Sequence, residues 1–159
     1  MSKNLVVYFS ASGNTAYLAE KLSKITDADL HEIVPSQIYS AADLDWMNDK
    51  SRSSVEMKNK ELRPEISNKV ENIHQYDVIY IGFPIWWYVA PTIINTFLEQ
   101  YDLTGKTIVP FATSGSSGMG NMHLELKDSC LGATLLNGKR FAANASDKEL
   151  KDWIESLDI

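Results

Sequence analysis

The chain carries one cysteine, Cys130. No disulfide can form within it, and no CxxC pair or Cys/His cluster points to a zinc site. Cys130 reads as a small buried hydrophobe. The three histidines, His31, His74 and His123, lie far apart and make no HExxH-like pair. A positive balance is missing as well: 15 Lys and Arg against 21 Asp and Glu leave a formal net charge of −6. That argues against a nucleic-acid binder, which would need a basic face to meet phosphates, and against adsorption to anionic membranes. No stretch approaches the ~20 apolar residues of a membrane span. The opening MSKNLVVYFSASGN has an apolar run too short, and too soon interrupted, for a signal peptide. A soluble cytoplasmic protein is the expectation.

What is present is a core. With 159 residues, 44% of them hydrophobic, the chain suits one domain spanning 1–159. Residues 5–9 form a continuous apolar run, the pattern of a strand buried on both faces. Leu18, Ala19, Leu22 and Ile25 then mark one stripe of a helix. Residues 29–34 are a weaker strand, and VIYIGF at 78–83 is the strongest. Pro91 opens a second helix whose Ile93, Ile94, Phe97, Leu98 and Tyr101 share a face. Residues 107–112 read as a third buried strand, 120–128 as a short helix, and 133–141 as a last strand bent near Asn137-Gly138. Ser146 and Glu149 make a capping box before a final helix striped by Leu150, Trp153, Ile154 and Leu157. Strands alternating with helices predict an α/β fold, a parallel sheet with helices on both faces. Residues 35–65 break the alternation and read as a long connection containing a short helix; such connections are often functional.

In a doubly wound sheet, ligands sit beyond the carboxyl ends of the strands. Three loops qualify: 10–15, 84–90 and 113–121. In the first, SASGNT, a helix beginning near Asn14 offers free N–H groups and the positive end of its dipole. Ser10, Ser12, Asn14 and Thr15 add neutral donors, and Gly13 allows close backbone approach. GxxxxGK[ST] and GxGxxG are both absent, so a mononucleotide phosphate fits best. In the second loop, Trp86, Trp87 and Tyr88 follow a buried strand at the surface, where a planar heterocycle could stack on them. The third loop, ATSGSSGMGN, has Gly115, Gly118 and Gly120 among serines and offers backbone groups to polar ring edges. Taken singly, the loops also fit an ordinary helix cap, aromatic caps on the core and a solvent loop. Together they describe one ligand.

These residues resemble the flavodoxin-type, FMN-binding family, in a bacterial flavodoxin-like branch. The strand–SASGNT–helix unit resembles its phosphate loop; GFPIWWYVAPTIINTFLE and ATSGSSGMGN resemble the second and third flavin-contacting loops. The resemblance implies a flavodoxin-like three-layer α/β/α sandwich, with a five-stranded parallel sheet of order 2-1-3-4-5, and bound FMN. Carried over residue by residue, Ser10, Ser12, Gly13, Asn14 and Thr15 hold the phosphate. Pro84, Ile85, Trp86, Trp87 and Tyr88 flank the ring, and Thr113, Ser114, Gly115 and Gly118 meet its polar edge.

Two departures bear on activity. Electron carriers of this family usually place a tyrosine in the third loop, against the outer flavin face; here 113–121 holds no aromatic. They are also usually more acidic around the flavin, whereas Lys139-Arg140 sit near the last strand here. The expectation is therefore an FMN-dependent oxidoreductase. It would pass electrons from a reduced nicotinamide or a reductase to a quinone-like or protein acceptor, with His123 and Tyr88 as polar partners for a substrate. The alternatives are a one-electron carrier without its own substrate and a flavin-free binding domain. A homodimer is possible, and no metal is expected. Because no cation lies within the three loops, unless His123 serves, a low potential for full reduction is expected.

Overall fold

The computed structural model describes residues 3–10, 13–45, 47–59, 61–85, 90–114, 122–142 and 144–157, with only the backbone of Met57, Met122, His123 and Glu125. Strand β1 (Asn4–Tyr8) is buried along all but its first residue. It pairs in parallel with β2 (Asp29–Glu32) on one side and β3 (Val78–Pro84) on the other. β3 pairs with β4 (Thr107–Thr113). β5 (Thr134–Leu135) and β6 (Lys139–Phe141) both pair with β4, near its start and its end respectively. The order is β2-β1-β3-β4-β5, with β6 beside β4, as the resemblance implies. The bent last strand expected over 133–141 is instead two segments. The Leu136 N–H still reaches Ile108 O at 3.0 Å. Gly138, at φ 77°, then turns the backbone in a way that side chains resist.

Each face of the sheet carries its own core. On one side Leu5, Val7, Phe9, Ile79, Ile81 and Phe83 pack with Ile93, Ile94, Phe97 and Leu98 of α3 (Thr92–Glu99) and Leu126 of α4 (Met122–Lys127). On the other, Val6, Tyr8, Tyr80, Val109 and Phe111 meet Leu18, Ala19 and Leu22 of α1 (Asn14–Thr26) and Leu150 and Trp153 of α5 (Asp147–Ser156). The predicted helix stripes are thus the buried faces. Each large side chain so buried stabilises the fold by about 1.5–3 kcal/mol. Gly82 makes room for this packing: a Cβ there would lie 2.3 Å from the Phe111 ring, the close approach that interior strand glycines permit.

The 35–65 connection is an excursion closed at its base. Pro35 bridges Ile66, and Ser36 N–H donates to Glu65 O at 2.9 Å. Inside it runs α2 (Arg52–Lys58), capped by Ser51, whose side chain accepts from Ser54 N–H. The excursion is pinned by a buried polar cluster. The Tyr39 hydroxyl donates to Glu56 Oε1, and Arg52 Nε donates to Glu56 Oε2 at 3.0 Å. The Arg52 guanidinium lies 3.7 Å above the Tyr39 ring. Tyr39 in turn meets Phe9 edge-on, 5.5 Å between ring centres. At the far end Arg63 forks onto Glu99 of α3 at 2.9 and 3.0 Å.

Candidate functional site

β1, β3 and β4 run parallel, so the three loops that follow them leave the same edge of the sheet. The first turn of α1 differs from those of α2 and α5. Those two helices are capped by Ser51 and Ser146, whose side chains accept a first-turn N–H. The residue before α1, Gly13, offers no side-chain cap. Its φ is 93°, a left-handed conformation that glycine adopts without strain. A Cβ built on it would meet nothing within 4 Å. No acidic residue occupies the first turn. Among the described residues, no side chain caps the positive end of the α1 dipole, which suits an anion.

Ser10 shapes this turn from the strand side: its Oγ accepts the Gly13 N–H at 3.1 Å. Beside it, a cleft of about 220 Å³ lies between Phe9, Ser10, Glu32, Ile33, Pro35 and Tyr39.

Thr113, the last residue of β4, joins the loops. Its hydroxyl lies 2.7 Å from that of Thr15, both buried, and its carbonyl accepts the Ile85 N–H at 3.0 Å. Pro84 stands opposite Thr113 in the ladder. The next residue, Ser114, is tied to the sheet's far side. Its N–H donates to Phe141 O at 3.3 Å, its Oγ accepts from Arg140 Nε at 3.0 Å, and its carbonyl accepts from Arg140 Nη2 at 2.7 Å. At the start of α3, after the second loop, the Thr92 Oγ1 is buried without a hydrogen-bond partner among the described residues. α3 also lacks a side-chain cap, with Pro91 at that position.

Of the residues singled out from sequence, Ser10, Gly13, Asn14, Thr15, Pro84, Ile85, Thr113 and Ser114 gather at this edge. Ser12, Trp86, Trp87, Tyr88, Gly115 and Gly118 lie outside the described residues, as does the side chain of His123. For Thr15 the structure refines the expectation. Either hydroxyl of the Thr15–Thr113 pair can be the donor, so one of its two protons is used inside the pair and one is left over. Two residues escaped the sequence reading. Arg140 was visible only as one of two basic residues near the last strand; that β6 brings it to Ser114 depends on pairing that no local pattern records. Thr92 reads from sequence as an ordinary first-turn residue behind Pro91.

Cys130 is buried, and burial raises its thiol pKa. Among the described residues no group of three or more His, Cys, Asp or Glu could hold a metal, and no helix is long and apolar enough to cross a membrane.

Known proteins share this fold. The chain matches the flavodoxin family model over residues 3–157. A candidate flavoprotein from Bacteroides eggerthii is 48% identical, with a TM-score of 0.91, over 100% of this chain and 99% of that one. Another from Bacteroides uniformis is 46% identical, with a TM-score of 0.89, over 97% and 98%. A Lactobacillus acidophilus flavoprotein, solved in complex with FMN, is 25% identical, with a TM-score of 0.71, over 97% and 99%. No curated protein sequence matches. By the family match across nearly its whole length, this chain belongs to the flavodoxin family.

Proposed function

We propose that this chain binds FMN and works as an FMN-dependent oxidoreductase, taking electrons from a reduced nicotinamide or a reductase protein and passing them to a quinone-like or protein acceptor. The observation that carries the reading is the first turn of α1: among the described residues it has no side-chain cap and no acid, and the left-handed Gly13 before it has room around its missing Cβ. A phosphate there would meet the backbone amides of Asn14 and Thr15 and the helix dipole. Thr113 and Ser114 would face the polar edge of the ring, held in place by Thr15, Ile85 and Arg140. After the second loop, the buried Thr92 hydroxyl has no hydrogen-bond partner among the described residues, a polar group of the kind that buried sites satisfy. When bound, FMN supplies the electron transfer itself, and the protein supplies position and electrostatics. An enzyme role in preference to pure carriage rests on the third loop: residues 113–121 contain no aromatic to cover the outer ring face.

The purified protein should show the visible bands of bound flavin or acquire them on adding FMN. It should then oxidise a reduced nicotinamide in the presence of a quinone. A protein that carries no flavin after incubation with excess FMN and removal of the free nucleotide rejects the reading. A flavin-loaded protein that turns over no common acceptor, yet shows a long-wavelength band at half reduction, is a one-electron carrier instead.

A further inference from the structure

The site's edge holds a cation that its own loops do not contain. Arg140 lies on β6, opposite Ala112 of β4, and its planar guanidinium donates to both the side chain and the carbonyl of Ser114. This two-point grip fixes orientation as well as position; a lysine, with a compact ammonium on a flexible stem, would not reproduce it. Ser114 is also the first residue past β4, next to the Thr113 hub. Arg140 therefore reaches across from the last strand to set the starting geometry of the third loop.

We propose that Arg140 is a positioning residue for the redox behaviour of the site. It holds Ser114 in place, and it puts a permanent positive charge beside the ring edge that becomes negative on reduction. The inference rests on the FMN reading above. A flavin that takes up two electrons and one proton gains one negative charge. In a chain of net charge −6, that charge is unfavourable unless a local cation offsets it. Arg140 is half-buried, so solvent ions screen its charge less than that of a surface group. Reduced FMN is accordingly bound more tightly than it would be without Arg140, and the potential is higher than three cation-free loops alone imply.

The test uses the full chain as wild type, R140K and R140Q. Dissociation constants for oxidised FMN come from flavin fluorescence. Midpoint potentials come from dithionite titration against a reference dye. R140Q should weaken reduced FMN at least tenfold more than oxidised FMN, which for a two-electron couple is a shift of about 30 mV to more negative potential. R140K should loosen oxidised FMN, because the fork is lost, yet keep most of the wild-type potential, because the charge remains. A purely structural arginine would change the dissociation constant and leave the potential of R140Q at the wild-type value; that result overturns the inference while the FMN reading stands. Wild type that binds no FMN overturns both. R140M, which retains much of the apolar stem, takes the place of R140Q should the amide variant not fold.

Discussion

The hydroxyl oxygens of Thr15 and Thr113, 98 residues apart in sequence, lie 2.7 Å from each other with both residues buried. This contact joins the first turn of α1 to the end of β4, and so the phosphate end of the proposed site to its ring end. Replacing one partner by valine leaves the other hydroxyl buried and unpaired, which should cost about 1–3 kcal/mol. Replacing both removes the orphan. The Thr15→Val/Thr113→Val double variant should therefore be less destabilised than the two single losses added together. Urea midpoints of the four proteins decide it; strict additivity would mean that the hydroxyls do not bond.

Gly13 allows backbone strain and ligand contact to be separated. At φ 93° valine is strained by its backbone alone, so Gly13→Val should cost at least about 1 kcal/mol of stability. Asparagine tolerates that conformation much better. The space beyond the missing Cβ is open, so Gly13→Asn should melt close to wild type. If FMN phosphate fills that space, Gly13→Asn should nevertheless lose tenfold or more in FMN affinity. Equal affinity in a stable Gly13→Asn protein would place the phosphate elsewhere.

How far these features could be read in advance follows from their range along the chain. The strand at 78–83 and the stripes of α1, α3 and α5 are local patterns, and they reappear as the buried faces of the two cores. Ser146 before Glu149 is local too, and the cap forms, with Glu149 N–H donating to Ser146 Oγ at 3.2 Å. The bend near Gly138 was legible; the division of the last strand into two ladders on β4 was not, since register is decided by the partner strand. The same holds within the site. The small-residue turn at 10–15 announces itself, whereas Thr15 on Thr113, Arg140 on Ser114 and Tyr39 on Glu56 join segments with no local signature. Residues 35–65 looked vague because a closed excursion held by a few buried polar contacts has no hydrophobic period.

His31 gives the protein an acid-sensitive point. It sits on β2 opposite Val7, with its ring 6.3 Å from Phe97. Its Nε2 is buried with no hydrogen-bond partner among the described residues. Burial holds the imidazole below its ordinary pKa. The unfolded chain therefore binds this proton more readily than the folded one. The resulting stability is present above the ordinary imidazole value and is lost as pH falls through the lowered one. Urea midpoints should drop between pH 7.5 and pH 5. Replacement by phenylalanine should flatten that slope; an unchanged slope would assign the acid response to carboxylates.

Glu56 anchors the excursion to the rest of the molecule. It accepts from Tyr39 and from Arg52 while almost fully buried. The Tyr39 phenol is held far above its ordinary pKa, by its burial first and by Glu56 second. Glu56→Ala takes the carboxylate from a partly buried arginine that keeps only the Gln37 carbonyl and the Tyr39 ring among the described contacts, so the loss should reach at most about 3–5 kcal/mol, the range for fully buried pairs. Tyr39→Phe keeps the ring against Phe9 and Arg52 but leaves Glu56 Oε1 without that donor, so it should cost about 1–3 kcal/mol. Tyr39 and Phe9 also line the cleft beside Ser10. Loosening the excursion should thus expose 35–65 to protease before the sheet itself unfolds, with limited proteolysis of Glu56→Ala cutting first in that segment. Cleavage spread evenly over the chain would show that the excursion and the sheet unfold as one unit.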